Sequence, residues 1–365
     1  IEAGDNDIDL VDLAKNKINF KEKSVSSTVF GLKKRTAIFK EGVGCILLPE
    51  DSKISKQFKP NRKITETNLP YPYGSLPQKD TVFSQINYGD LKNAVDNAFD
   101  KSGETIKRTR AVLVVYKNKI IAEKYAEGFS KETKMLGWSM TKSITNAVLG
   151  VLEKQGKVSV KQTDLFSEWK NDGRSAISLN NLLQMNSGLK WEENYNNISD
   201  VTKMLFLEDD MSSVQLSKQF VGKPNESWNY SSGTTNLLSG FIRNQFSSHQ
   251  EYLDFWYQEL VDKIGMNSMT IETDVSGNFV GSSYSWATVR DWAKFGLLYL
   301  NNGNWNDVQI LNSTWVDYSK KPTNGSDGQY GAQFWLNAGG VYPNVPKDLF
   351  SCNGYHCLLY TSPSP

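Results

Sequence analysis

Between Ser139 and Gly156 the chain carries the pattern that most restricts its fold. Ile144, Ala147, Val148, Val151 and Leu152 recur at the i, i+3, i+4, i+7 and i+8 spacing of one helix face, and Gly156 offers a stop. The spacing predicts a buried helix over residues 139–155. A helix this apolar needs a sheet or other helices to cover it, and 365 residues with 39% hydrophobic and 12% aromatic content supply core for one large or two medium domains. Ser139 stands at the helix start, where unpaired N–H groups and the positive dipole end favour the anion formed when a hydroxyl attacks a carbonyl. Lys142, three residues on, shares its face. A lysine partly withdrawn from water loses its proton more readily and can take the serine proton as a general base.

The tetrad alone decides little. Ser167 to Lys170 and Ser187 to Lys190 repeat the S-x-x-K spacing, and a serine at a helix start can be a simple N-cap. That role leaves Lys142, beside an apolar face, without a reason, and the other two copies have no long amphipathic helix behind them.

Other chemistries lack their residues. Cys45, Cys352 and Cys357 form no C-x-x-C pair, and His249 and His356 stand in no ligand spacing, so neither a disulfide framework nor a metal site is expected. There is no G-x-S-x-G elbow, no phosphate loop and no complete dinucleotide fingerprint, so no cofactor is expected. Forty-one Lys plus Arg against forty Asp plus Glu give +1, and on that balance neither nucleic acid nor an anionic membrane is drawn to the chain. No apolar run reaches the length of a membrane span. Small neutral substrates fit better, and nothing specifies an oligomeric state.

Along the chain, residues 1–85 read as an irregular, lysine-rich and proline-broken extension. A helix over 90–99 and a hairpin of 109–116 with 119–125 around Lys117-Asn118 follow. Residues 160–279 read as a helical insert, with helices over 179–185, 201–207, 234–246 and 252–264. Helix returns over 288–300, where Thr288 and Asp291 make a start signal and Gly303 a stop, before a strand over 333–336. The expected domains are the extension 1–85, a sheet domain of 86–159 with 280–365, and the insert 160–279.

Gly137-Trp138-Ser139-Met140-Thr141-Lys142-Ser143 resembles the nucleophile motif of the β-lactamase-like, penicillin-recognising serine hydrolases. Leu182-Leu183-Gln184-Met185-Asn186-Ser187-Gly188-Leu189 resembles the family's L-L-x-M-x-S-G-L stretch, and Asn229-Tyr230-Ser231-Ser232-Gly233 its second motif. Residues 285–305 resemble its T-x-R-D-x-A-x-F-G-L-L-Y-L-x-x-G-x-W helix and turn. The resemblance covers roughly residues 88–356 and is closest to the branch of 6-aminohexanoate-dimer hydrolases and related esterases and amidases.

It implies an α+β, transpeptidase-like fold, an antiparallel sheet flanked by helices with an inserted helical domain and a cleft between. It further implies that Ser139 forms an acyl-enzyme, Lys142 activates it, and Tyr230 relays a proton to the leaving group, with Ser232 and His356 in the substrate and oxyanion region. The third motif departs from the family's: Asn353-Gly354-Tyr355-His356 starts a G-x-H-G-Q-like variant, but Cys357 replaces glycine and the chain runs into Ser362-Pro363-Ser364-Pro365. The expectation is that the C-terminal strands and helix are truncated from about Cys357, leaving an exposed edge and an incomplete oxyanion hole. With no K-T-G and no S-D-N, esters or linear amides are the expected small-molecule substrates. A D-alanyl-D-alanine carboxypeptidase or β-lactamase, and a non-catalytic peptide-binding homologue, are the alternatives. The family also implies an extracytoplasmic location.

Overall fold

The computed structural model describes residues 13–49, 52, 59–100, 106–355 and 357–361. The chain opens with a meander, β1 (Ala14–Asn19), β2 (Ser24–Val29), β3 (Leu32–Lys40) and β4 (Gly44–Leu48), all antiparallel. Helix α1 (Tyr88–Asn97) follows, its first turn capped by the Asn87 side chain. The hairpin β5 (Ala111–Tyr116) and β6 (Lys119–Tyr125) turns through Lys117 and Asn118, both at positive φ as a type I′ turn requires. A short strand β7 (Lys134–Leu136) leads through a 3-10 turn into α2 (Thr141–Lys154). Helices α3 (Leu179–Leu183), α4 (Asp200–Leu207), α5 (Met211–Leu216), α6 (Ser232–Arg243) and α7 (His249–Trp256) come next. The remaining elements are β8 (Thr270–Ile271), β9 (Ser285–Thr288), α8 (Val289–Leu300), β10 (Asn304–Trp305), β11 (Val308–Gln309), α9 (Ser313–Ser319), β12 (Trp335–Leu336), β13 (Phe350–Gly354) and β14 (Cys357–Thr361).

Two compact units emerge. The first comprises Ile1–Pro60, Val160–Leu253 and Thr270–Tyr284, and the second Asn61–Ser159, Asp254–Met269 and Ser285–Pro365.

In the second unit α2 is sunk in the core: every residue from Thr141 to Leu152 is buried, not one apolar stripe as its spacing suggests. Its polar side chains are satisfied internally. Ser143 Oγ donates to the Gln333 carbonyl at 2.7 Å, and Asn146 Nδ2 to that of Ala332 at 2.9 Å. Asn146 Oδ1 accepts from Tyr299 Oη at 2.5 Å, Trp315 Nε1 at 3.0 Å and Ser319 Oγ at 3.2 Å. The helix stops at Gly156, where φ is +71° and the next residue's N–H returns to the Leu152 carbonyl. Helix α8 starts at the Thr288 cap, ends before Gly303 at φ +78°, and packs on β5 and β14. Strand β13 pairs with β12 and β14, both antiparallel, so the residues from Cys357, where the family pattern breaks, continue the ladder to Thr361.

In the first unit α6 is buried over most of its length, and Trp191, Val201, Met204, Leu205, Met211 and Val280 form a core cluster. Residues 14–48, within the stretch that reads as irregular, form the β1–β4 sheet instead, its β2–β3 turn closed by Phe30 and Gly31 at φ +51° and +74°. The single helix expected over 252–264 is split between α7 and a π-helical turn, Tyr257–Val261.

Candidate active site

The approach to Ser139 is pinned from both sides. The Gly137 N–H donates to the Ser285 carbonyl at 2.7 Å, and the Met140 N–H returns to the Gly137 carbonyl at 3.0 Å, closing the 3-10 turn Trp138–Met140 ahead of α2. Thr141 Oγ1 bonds the Trp138 carbonyl at 2.7 Å and Ser285 Oγ at 2.6 Å. Trp138 is held at φ +46°, a left-handed conformation that costs a non-glycine residue about 1–3 kcal/mol and is retained where surroundings over-determine it. The turn places Ser139 at the helix entrance, with Lys142 Nζ donating to its Oγ at 3.0 Å. Ser139 is half-buried, whereas Lys142 is 1% exposed. Gly137 and Met140 occupy the two cap positions and neither makes a side-chain cap, so the Ser139 hydroxyl meets an amine where capping alone would aim it at a backbone N–H. The other two S-x-x-K copies differ, since Lys170 and Lys190 are exposed.

Strand β13 ends against this turn. A Cβ on Gly354 would stand 2.0 Å from the Gly137 carbonyl oxygen and 3.2 Å from Trp138 Cβ, so only glycine lets the two backbones approach. The next residue, Tyr355, sets its ring edge-on to Trp138, with centroids 6.1 Å apart. Gly137 is equally constrained, because a Cβ there would fall 2.4 Å from Trp292 Cζ2. His356 lies outside the described residues.

Tyr230 and Ser232 belong to the first unit. Ser231 caps α6, its hydroxyl accepting from the Thr234 N–H at 2.9 Å. Ser232, fully buried, donates its N–H to Glu193 Oε2 at 2.9 Å and its hydroxyl to Glu193 Oε1. The same carboxylate accepts from Trp191 Nε1 at 2.5 Å and Tyr195 Oη at 3.2 Å. The other side of the turn is held by Met185, whose carbonyl accepts the Asn229 N–H at 2.9 Å and whose sulfur accepts the Ser231 N–H at 3.3 Å. The L-L-x-M-x-S-G-L stretch is thus a cradle for the segment carrying half-buried Tyr230. Glu193, four residues beyond this stretch, has no spacing in the sequence that marks it, and its carboxylate joins the segment after the stretch to Ser232.

Among the described residues, no His, Cys, Asp or Glu cluster could hold a metal ion, and no helix is long and apolar enough to cross a membrane.

The family model described as Beta-lactamase matches residues 95–363. Among solved structures, a putative 6-aminohexanoate-dimer hydrolase from Bacillus anthracis is similar at 22% identity over 75% of this chain and 73% of that one, with a TM-score of 0.61. The octameric penicillin-binding protein homologue from Pyrococcus abyssi aligns at 15% identity over 76% and 71% of the two chains, with a TM-score of 0.58. A penicillin-binding protein homologue from Caulobacter crescentus aligns at 12% identity over 76% and 88%, also at 0.58. At these identities the likeness is one of fold. No curated protein sequence matches the chain.

Proposed function

The chain belongs to the beta-lactamase family, and from that premise we propose that it is a serine hydrolase that cleaves esters or linear amides through an acyl-enzyme on Ser139. The observation that carries the reading is the 3.0 Å contact between Ser139 Oγ and the Nζ of a lysine that is 1% exposed. Desolvation favours the neutral amine, which can accept the serine proton. As Oγ bonds to the substrate carbonyl carbon, its proton passes to Lys142 Nζ and the carbonyl oxygen becomes an anion. The Ser139 N–H at the helix entrance is one donor for that anion, and an N–H from the β13 edge beside Gly354 is the proposed second. Collapse breaks the bond to the alcohol or amine leaving group, which takes its proton from the Tyr230 hydroxyl in this proposal. Lys142 returns the serine proton to Tyr230, so both side chains are neutral again; water then gives a proton to Lys142 as it adds to the acyl carbon, and that proton passes to Ser139 Oγ as the bond to the acid breaks. Ser232 and Glu193 are assigned the task of fixing the Tyr230 turn. Esters and linear amides are favoured over penicillins because no K-T-G or S-D-N triplet is present to hold a lactam carboxylate and ring.

Steady-state and burst kinetics with p-nitrophenyl esters and a linear amide series test the reading. Turnover by the parent that vanishes in Ser139→Ala and Tyr230→Phe supports it. A burst without turnover would show an acylation trap, and no reaction by folded protein would leave a peptide-binding role.

A further inference from the structure

The β1–β4 sheet lies outside the residues that the family model matches and contributes none of the groups assigned above. Its register sorts the side chains by face. Ile18 pairs with Val25, Val25 with Ala37 and Ala37 with Leu47, so one apolar row crosses all four strands, and Phe39, opposite Cys45, lies two residues along on the same face. The other face carries buried Ile46, paired with Ile38, and therefore looks inward. The apolar row is the outward face: Ile18 is 58% exposed, Val25 and Phe39 are exposed, and Phe20 in the β1–β2 turn stands 86% exposed. A solvated face of an antiparallel sheet ordinarily takes the polar half of the alternation, so this one is built for contact.

Charge says with what. Residues 14–48 hold eight basic side chains against Glu22 and Glu41, a formal +6, so the rest of the chain carries −5 of its total of +1. The whole-chain balance that argued against anionic partners conceals this asymmetry. Lys21 and Lys23 flank the turn at Phe20, and Lys23 Nζ stands 5.9 Å from the centre of the Phe39 ring, which puts ammonium groups at the rim of the apolar row.

We propose that this sheet docks the protein on an anionic lipid surface, with Phe20, Ile18, Val25 and Phe39 entering the headgroup boundary and the lysines meeting lipid phosphates and carboxylates. Such a surface uses both halves of the face. A nucleic acid could stack bases on Phe20 and Phe39 but would leave the aliphatic Ile18 and Val25 in water, where a lipid boundary takes both kinds of side chain. A second copy would set one segment of formal +6 beside another.

The test is co-sedimentation of the full chain with extruded vesicles of phosphatidylcholine, with and without phosphatidylserine. Binding to the mixed vesicles only, weakening as salt rises, is the expected result. Lys21→Ala with Lys23→Ala should weaken it roughly thirtyfold, at about 1 kcal/mol per lysine near the surface. Phe20→Ser should weaken it while leaving its salt dependence unchanged. Thermal unfolding of each variant serves as the fold control, since these exposed side chains remove no buried contact. Equal binding to both vesicles, variants that bind like the parent, or no vesicle binding would overturn the proposal. So would a dimer in sedimentation velocity that Phe20→Ser dissolves, or capture of a single-stranded oligonucleotide in place of vesicles.

Discussion

Replacing Gly354 with alanine tests whether the end of β13 is part of the catalytic apparatus. No left-handed φ is needed at Gly354, so alanine suits its backbone and the only obstacle is space. The added Cβ would stand 2.0 Å from the Gly137 carbonyl oxygen, and that oxygen already accepts the Met140 N–H of the turn that carries Ser139. Ordinary contacts lie near 3.5 Å, so strand or turn must yield by roughly 1 Å or more. Displacements of that size at reacting groups cost about 100-fold in rate, whereas overpacking costs about 1–3 kcal/mol of stability. Ester turnover and thermal unfolding, measured on the same preparation, should therefore show a large fall in kcat with the fold retained. A folded Gly354→Ala protein that turns over esters like the parent would refute the reasoning, because the strand could then move without disturbing the oxyanion geometry.

Other outcomes follow from single contacts. Asn146→Ala deletes the partner of Tyr299 Oη, Trp315 Nε1 and the Ala332 carbonyl in the core, and should lower stability by at least about 3 kcal/mol in urea unfolding. Glu193→Gln sets an amide N–H against donors that now share one carboxylate, and it should lower kcat about tenfold or more, with KM less affected and stability lowered by about 1–3 kcal/mol. Glu193→Asp, which keeps a carboxylate acceptor, should recover part of the kcat loss. Burial pushes Asp274 up from 3.8 to about 7. Its folded state therefore holds the proton more tightly, and its contribution to stability is full below pH 3.8 and lost as the pH rises through about 7. Urea midpoints across that range should fall with pH in the parent and more shallowly in Asp274→Asn.

What could be read from the chain was whatever its chemistry or geometry confines to a few neighbouring residues. A serine and lysine three apart on a helix make their own contact, and Lys117-Asn118 and Thr288 with Asp291 announce a turn and a cap locally. Glu193 reaches Ser232 across 39 residues and Gly354 meets Gly137 from a distant strand, and neither pairing has a spacing to betray it. The β1–β4 sheet has no readable signal because its alternation points outward: Ser24, Ser26 and Thr28 take the side turned from solvent and Val25 faces out, so the pattern reads as a polar, irregular stretch. The π-helical turn at Tyr257–Val261 carries no proline or glycine to mark it. The beta-lactamase-like α+β fold was legible because several separated motifs stand in the family's order, each with its own local form.

Activation of Ser139 by Lys142, as proposed, is read most directly by intact-mass spectrometry of fluorophosphonate labelling. A single adduct on the parent, absent from Ser139→Ala and formed at least about 100-fold more slowly in Lys142→Met, is the result expected of a general base. An adduct that persists in Ser139→Ala, or one that forms as fast on folded Lys142→Met as on the parent, would contradict it.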